Sequence, residues 1–62
     1  MDKIAEMCIK SRISSLNDDY DACLIVQNYL WECKSWNAYY EVRAVMDKID
    51  DKIDKLNELL KN

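Results

Sequence analysis

The sequence contains no glycine, proline, histidine or phenylalanine. Without histidine there is no imidazole for a Ser-His or Cys-His catalytic pair or for metal binding. Without glycine there is no glycine-rich loop to cradle a phosphate. The sequence therefore predicts a protein that is not an enzyme and that binds no cofactor or metal.

Positive charge and long apolar runs are also scarce. The chain has 9 basic and 12 acidic residues and a net charge of −3, whereas domains that bind a phosphate backbone usually carry a basic face. The longest apolar run, Ala22 to Val26, is far shorter than the ~20 residues that span a bilayer, and Met1-Asp2-Lys3 leads into no signal-like apolar segment. We expect a soluble cytoplasmic protein that binds neither nucleic acid nor membrane.

The 3 cysteines are Cys8, Cys23 and Cys33. Their number is odd and no pair has CxxC spacing, which does not favour a zinc site or a disulfide framework. Free cysteines usually behave as small, partly buried apolar side chains. We expect reduced thiols in a reducing compartment.

A chain of 62 residues has room for one domain, predicted over residues 1–62. Because the chain has no glycine or proline, breaks between helices are predicted from Asn, Asp and Ser. Such residues cluster at 14–19 and at Ser35-Trp36-Asn37. The pattern predicts an all-α fold, a helical hairpin or small bundle of two or three helices, at about 2–16, 18–34 and 37–61. In the alternative interpretation the last two helices are continuous.

The apolar residues of the first two segments recur at helical spacing. In the first segment Arg12 falls among them, and we expect it to pair with a nearby aspartate such as Asp18, Asp19 or Asp21, or to extend its charged end to water. The middle segment has two apolar faces, one broad and one narrower, and each of them needs a surface to pack against. The first segment presents Ile4, Ala5, Cys8, Ile9, Ile13 and Leu16; the middle segment presents a broad face of Ala22, Ile25, Val26, Tyr29, Leu30, Cys33 and Trp36, and the narrower face of Tyr20, Leu24 and Trp31.

The last segment has a heptad pattern typical of a coiled coil. Its apolar residues step by three and four, and we predict that they form an oligomer interface. A first helix of roughly 22 Å could not cover a last helix of roughly 36 Å, which favours a homodimer or larger oligomer as the way to bury the remainder. The predicted interface consists of Tyr39, Val42, Met46, Ile49, Ile53, Leu56 and Leu60.

These features predict a small protein-binding module, a regulator or inhibitor that occupies a surface of a larger protein. Tyr20, Leu24 and Trp31 are the predicted contacts with that target, because this strip has no other assigned partner and Trp and Tyr dominate protein–protein hot spots. Asp21, Asn28 and Lys34 would form a polar rim. In the alternative interpretation the same strip is part of the oligomer core. The size also resembles that of small inhibitors encoded by phages, which is an analogy of size alone. A structural self-assembly subunit is the alternative, and a helical bundle that binds an apolar small molecule is the third hypothesis.

Overall fold

The computed structural model describes residues 1–61, so that Asn62, the last residue of the predicted domain, lies outside the described part. Two α-helices account for almost all of these residues: α1, Lys3–Glu32, and α2, Trp36–Lys61. Residues 1–61 contain no strand. The predicted all-α class is confirmed, and the helices number two rather than three.

The helices lie side by side as an antiparallel hairpin. Arg12 and Leu16 of α1 line a surface groove together with Lys52, Lys55 and Leu56 of α2. The middle of α1 therefore lies against the C-terminal half of α2, as a short connection between two packed helices requires.

The first turn of α1 is capped by a short local contact. The carboxylate of Asp2 accepts a hydrogen bond from the backbone N–H of Ile4 at 3.1 Å. Glu6 lies in this turn and pairs with Lys10 at 3.0 Å. An N-cap aspartate and an early glutamate both favour the positive end of a helix, which explains why the helix begins at this point.

The helix break that the sequence predicts within residues 14–19 is not present, because α1 runs unbroken through this stretch. Ser, Asn and Asp disfavour a helix interior by at most ~0.7 kcal/mol each relative to Ala. Leu16, in the middle of the stretch, is 3% exposed, and full burial of a leucine contributes roughly 1.5–3 kcal/mol. Packing of this leucine against α2 helps to offset the unfavourable local propensity.

The chain reverses instead at Cys33, Lys34 and Ser35. Lys34 has a positive φ of 58°. The N–H of Ser35 donates to the carbonyl of Leu30 at 3.0 Å, and the N–H of Lys34 donates to the carbonyl of Trp31 at 3.1 Å. These are the two hydrogen bonds of a Schellman motif. The turn overlaps the predicted second break at Ser35, whereas Trp36 and Asn37 already belong to α2. The alternative in which the last two helices are continuous is wrong, because α1 ends at Glu32 and α2 begins at Trp36.

The seam between the helices is a narrow double row of side chains. Leu16, Met46 and Ile49 form its buried centre, at 3%, 0% and 7% exposure. The other apolar seam residues are half-buried. On α1 the seam consists of Ile9, Ile13, Leu16, Tyr20, Cys23, Gln27 and Leu30, and on α2 of Tyr39, Val42, Met46, Ile49, Ile53, Leu56 and Leu60.

The predicted apolar faces of α1 are corrected by this seam. In the first segment Ile4, Ala5 and Cys8 are exposed, although Ile9, Ile13 and Leu16 do turn inward. Of the predicted broad face only Leu30 is half-buried, and its remaining members are exposed. The error arose from assigning the faces of two short helices separately, since a continuous helix fixes their relative rotation.

Every residue of the predicted oligomer interface lies within this intramolecular seam. A second copy is not needed to cover α2 along its length, because 30-residue α1 is about 45 Å long and 26-residue α2 about 39 Å. Pairing of α2 with a second copy remains a prediction without that support.

The hairpin is a rod of 47 × 14 × 11 Å with a radius of gyration of 14.5 Å. A compact chain of this length would have a radius near ~11 Å. The accessible surface is 4919 Å², compared with the ~4,200 Å² expected for a folded monomer of this mass. The rod therefore exposes about 700 Å² of surface that a compact monomer would hide.

Candidate protein-binding site

Four aromatic side chains meet at the loop end of the hairpin. Trp31 contributes from the last turn of α1, and Trp36, Tyr39 and Tyr40 contribute from the start of α2. The rings of Trp31 and Trp36 lie 5.0 Å apart, those of Trp31 and Tyr39 5.4 Å, and those of Tyr39 and Tyr40 5.3 Å. Most of these contacts are edge-to-face, the arrangement that aromatic rings prefer. We call this set the aromatic cluster.

The turn explains how the cluster forms. The Schellman motif reverses the chain between Trp31 and Trp36 and brings both indoles to the same end of the molecule. Tyr39 is half-buried at the end of the seam, where it contacts both indoles. The cluster thus joins the last turn of α1 to the first turns of α2 at the loop end of the hairpin.

Most of the cluster faces solvent. Trp31 is 57% exposed, Trp36 42% and Tyr40 65%. Large aromatic rings that remain exposed while packed against one another resemble the hot spots of protein interfaces. Their mutual packing also reduces the conformational entropy that binding would remove. The cluster can therefore present a preorganised apolar surface.

The three predicted target contacts occupy different environments. Tyr20 is half-buried in the seam, Leu24 is exposed at the edge of the seam, and Trp31 belongs to the aromatic cluster. The predicted rim residues Asp21, Asn28 and Lys34 are all exposed. Whether these residues bind a target remains a prediction.

Sequence reasoning missed that Trp36 and Tyr40 share a surface with Trp31. It placed Trp36 on the broad face of the middle segment, as if the helix continued through residues 33–35. Because the chain turns at Lys34, Trp36 does not share a helix face with the residues before the turn. The order Trp31, Trp36 and Tyr40 around a candidate break was the available signal, because a reversal between aromatic residues brings them together.

Gln27 lies in the seam two turns away from the loop. It is buried, and its Oε1 has no hydrogen-bond partner among residues 1–61. A buried polar atom without a partner costs about 1–3 kcal/mol. A polar residue in a coiled-coil seam can fix the register at the expense of stability, so Gln27 is a candidate determinant of how the helices align.

Tyr29 and Cys33 interact on the outward side of α1. The side-chain hydrogen bond with Cys33 and the negative charge of its ionised sulfur raise the pKa of the Tyr29 phenol above its usual 10.0.

Arg12 and Asp19 are both exposed, and neither forms an ion pair with any residue of 1–61. Of the two predicted arrangements for Arg12, the structure shows the one in which its side chain is open to water. Lys52 and Lys55 of α2 line the same groove, so the charged residues of α2 in this groove have the same sign as Arg12.

Comparisons of the chain with protein-family models, with curated proteins and with solved structures found no match. Neither of the two helices described over residues 3–61 is both long enough and apolar enough to cross a membrane.

Proposed function

We propose that this chain is a small non-enzymatic protein-binding module of the cytoplasm, a regulator or inhibitor that occupies a surface of a larger protein. The observation that carries this proposal is the exposed aromatic cluster. Trp31 and Trp36 pack against each other, and Tyr40 is linked to them through Tyr39. Such residues contribute most of the binding free energy in many interfaces.

Leu24 extends this surface along α1. It lies two helical turns before Trp31, on the same flank of the seam, and both side chains are exposed. An apolar groove on the target would cover Leu24 and the indoles together, while Asn28 and Lys34 would remain at a polar rim. Tyr20 supports this surface from the seam and contacts the target less than the sequence predicts.

The experiment compares two variants in a binding assay with a target first identified by capture on the wild-type chain. Trp31→Ala with Leu24→Ala removes two exposed apolar side chains, and we expect at least a ten-fold loss of affinity, since each hot-spot truncation costs about 1–2 kcal/mol or more. Circular dichroism should show unchanged helicity.

Leu59→Ala is the matched control, because Leu59 is exposed on α2 far from the loop. It should leave the affinity unchanged. Equal affinities for wild type and the Trp31 and Leu24 variant would contradict the proposal. Loss of helicity in that variant would show instead that these side chains stabilise the hairpin.

Self-assembly is the second candidate function, and a specific observation favours it: the outward side of α1 exposes Ile4, Met7, Ile25 and Tyr29. Binding of an apolar small molecule, the third hypothesis, receives no such support, because the rings of the aromatic cluster contact one another.

A further inference from the structure

The side of α1 that points away from α2 carries a second heptad pattern. Its residues alternate in steps of four and three, as a coiled-coil seam requires, and all of them are exposed. Ile4, Ile25 and Tyr29 are 70%, 72% and 65% exposed. We call this surface the outer face; it consists of Ile4, Cys8, Ser11, Ser15, Asp18, Ala22, Ile25 and Tyr29.

The order of large and small side chains along the outer face is similar from its N-terminal end and from its C-terminal end. Larger apolar side chains occupy both ends, and the middle holds the small residues Ser11, Ser15 and Ala22 together with Asp18. An antiparallel second helix would place Ile4 opposite Tyr29 and Cys8 opposite Ile25. Nearer the centre it would place Ser11 opposite Ala22 and Ser15 opposite Asp18. Each large side chain of the outer face thus meets an apolar one, and the small residues allow the backbones to approach closely.

We propose that a second copy of this chain covers the outer face, with the two α1 helices antiparallel and a two-fold axis between Leu16 and Asn17. The axis falls close to the middle of α1, Lys3–Glu32, so that nearly the whole helix is paired. Closed two-fold dimers are the commonest oligomers. This arrangement differs from the pairing of α2 helices that the sequence predicts.

Charge complementarity supports the antiparallel orientation. Arg12 and Asp19 lie on the same flank of the outer face, and in this register Arg12 of one copy lies beside Asp19 of the other. The pair occurs twice by symmetry. Both residues are without an ion pair within residues 1–61. A parallel dimer would instead place the two Asp18 carboxylates directly opposite each other, where like charges repel, whereas the antiparallel register offsets them by three residues, about 4.5 Å along the helix.

The exposed area is of the size that such a dimer needs. The rod exposes about 700 Å² more than a compact monomer of its mass, and a standard interface hides about 800 Å² on each partner. Covering the outer face would therefore bring the surface of each copy close to that of an ordinary folded chain.

The proposed dimer is independent of the proposed target binding. Trp31 and Leu24 lie on the opposite side of α1 from the outer face, so that dimerisation leaves the aromatic cluster accessible. In the antiparallel dimer the aromatic clusters of the two copies lie at opposite ends. A dimer could then engage two targets.

Disulfide cross-linking tests the register directly. Ile25→Cys, in a background with Cys23→Ser and Cys33→Ser, should form a disulfide with Cys8 of the second copy under mild oxidation. Residues 8 and 25 of one helix are about 25 Å apart, which excludes a bond within the chain. The product should migrate as a covalent dimer on a non-reducing gel.

The matched control adds Cys8→Ser to the same variant, and it should give no covalent dimer. A parallel pair would bring residue 25 of both copies together, and the control would then cross-link as well. That result, or the failure of the first variant to cross-link, would overturn the proposal.

The oligomeric mass gives a second, independent test. Sedimentation equilibrium of the wild-type chain at 100 μM protein should give the dimer mass, and Ile25→Glu should give the monomer mass with helicity retained. Leu59→Glu, a matched change outside the outer face, should leave the dimer intact. A monomeric wild-type chain, or an Ile25→Glu dimer of unchanged affinity, would contradict the proposal.

A charge exchange tests the flanking pair. Arg12→Asp alone should weaken the dimer about ten-fold, because two exposed ion pairs are lost and replaced by repulsion. Combining Arg12→Asp with Asp19→Arg should restore the wild-type dissociation constant. Additive weakening in the double variant would exclude the antiparallel register.

Discussion

The two helices of this hairpin use their apolar residues differently. In α2 most of them form one stripe towards α1, with Tyr40, Val45 and Leu59 exposed outside its buried row, and acidic and basic residues occupy most of the remaining surface. In α1 they lie on two opposite sides, one in the seam and one on the outer face. The sequence of a helix with one dominant apolar stripe therefore indicates which side packs, whereas a helix with two apolar sides leaves open which of them packs in the hairpin.

Substitution of one methionine in each helix should show the largest difference in stability between the buried seam and the exposed outward side of α1. Met46 of α2 is completely buried and Met7 of α1 is exposed. Met46→Asp places an unpaired charge in the seam, and we expect a loss of about 4 kcal/mol or more, enough to unfold a small domain. Far-UV circular dichroism at 25 °C should show loss of helicity.

Met7→Asp is the control for this charge. It should retain the helical spectrum, because an exposed site changes stability by about 0.5 kcal/mol or less. Unfolding by Met7→Asp as complete as that by Met46→Asp would show that the outward side of α1 is as essential to folding as the seam.

Replacement of Gln27 should stabilise the hairpin. Gln27→Leu removes a buried acceptor that has no partner among residues 1–61 and adds apolar contact within the seam. We expect a gain of about 1–3 kcal/mol in the free energy of unfolding, measured by urea denaturation. Asn28→Leu, the exposed neighbour, should change it by about 0.5 kcal/mol or less. A loss of stability in Gln27→Leu would indicate that the amide has a partner or that leucine does not fit.

The heptad spacing of Met46, Ile49 and their neighbours identified the inner face of α2 from the sequence alone, because only that stripe of the helix repeats over its whole length. The helical character of α1 was equally predictable. Its continuity was not, since Ser14 to Asp19 resemble a capping region locally, and only the burial of Leu16 against α2 shows that packing prevails. The rotation of α1, and with it the contact between Trp31 and Trp36, depends on that continuity and on the turn at Lys34.

A substitution in the turn between the helices should change the free energy of unfolding by a smaller amount. Lys34 has a φ of 58°, a conformation that costs a residue with a Cβ roughly 1 kcal/mol compared with glycine. Lys34→Gly should therefore raise the free energy of unfolding by about 0.5–1 kcal/mol. Lys55→Gly, in the interior of α2, should lower it by about 1 kcal/mol. A destabilising Lys34→Gly would show that the lysine side chain contributes more to the turn than its conformation costs.

The smallest expected effect concerns the phenol of Tyr29 on the outer face. Cys33 raises the pKa of Tyr29 above 10.0 through a side-chain hydrogen bond and through its charge. Because the folded chain then holds the proton more tightly than the unfolded chain, the associated stabilisation is present below pH ~10 and is lost as the pH rises through the folded pKa. Cys33→Ser removes the ionised sulfur, so the pKa of Tyr29 should fall back towards 10.0.

The measurement is a pH titration of the ¹³Cζ chemical shift of Tyr29, in chains that also carry Ile25→Glu. That substitution removes the contribution that burial in the proposed dimer would make to the same pKa. A Tyr29 pKa that is identical with and without Cys33→Ser would show that the two side chains do not interact. If Cys33→Ser lowers the pKa of Tyr29 only in chains without Ile25→Glu, the raised pKa depends on the dimer interface. The outer face of α1 would then be a surface on which dimerisation changes the pKa of a side chain.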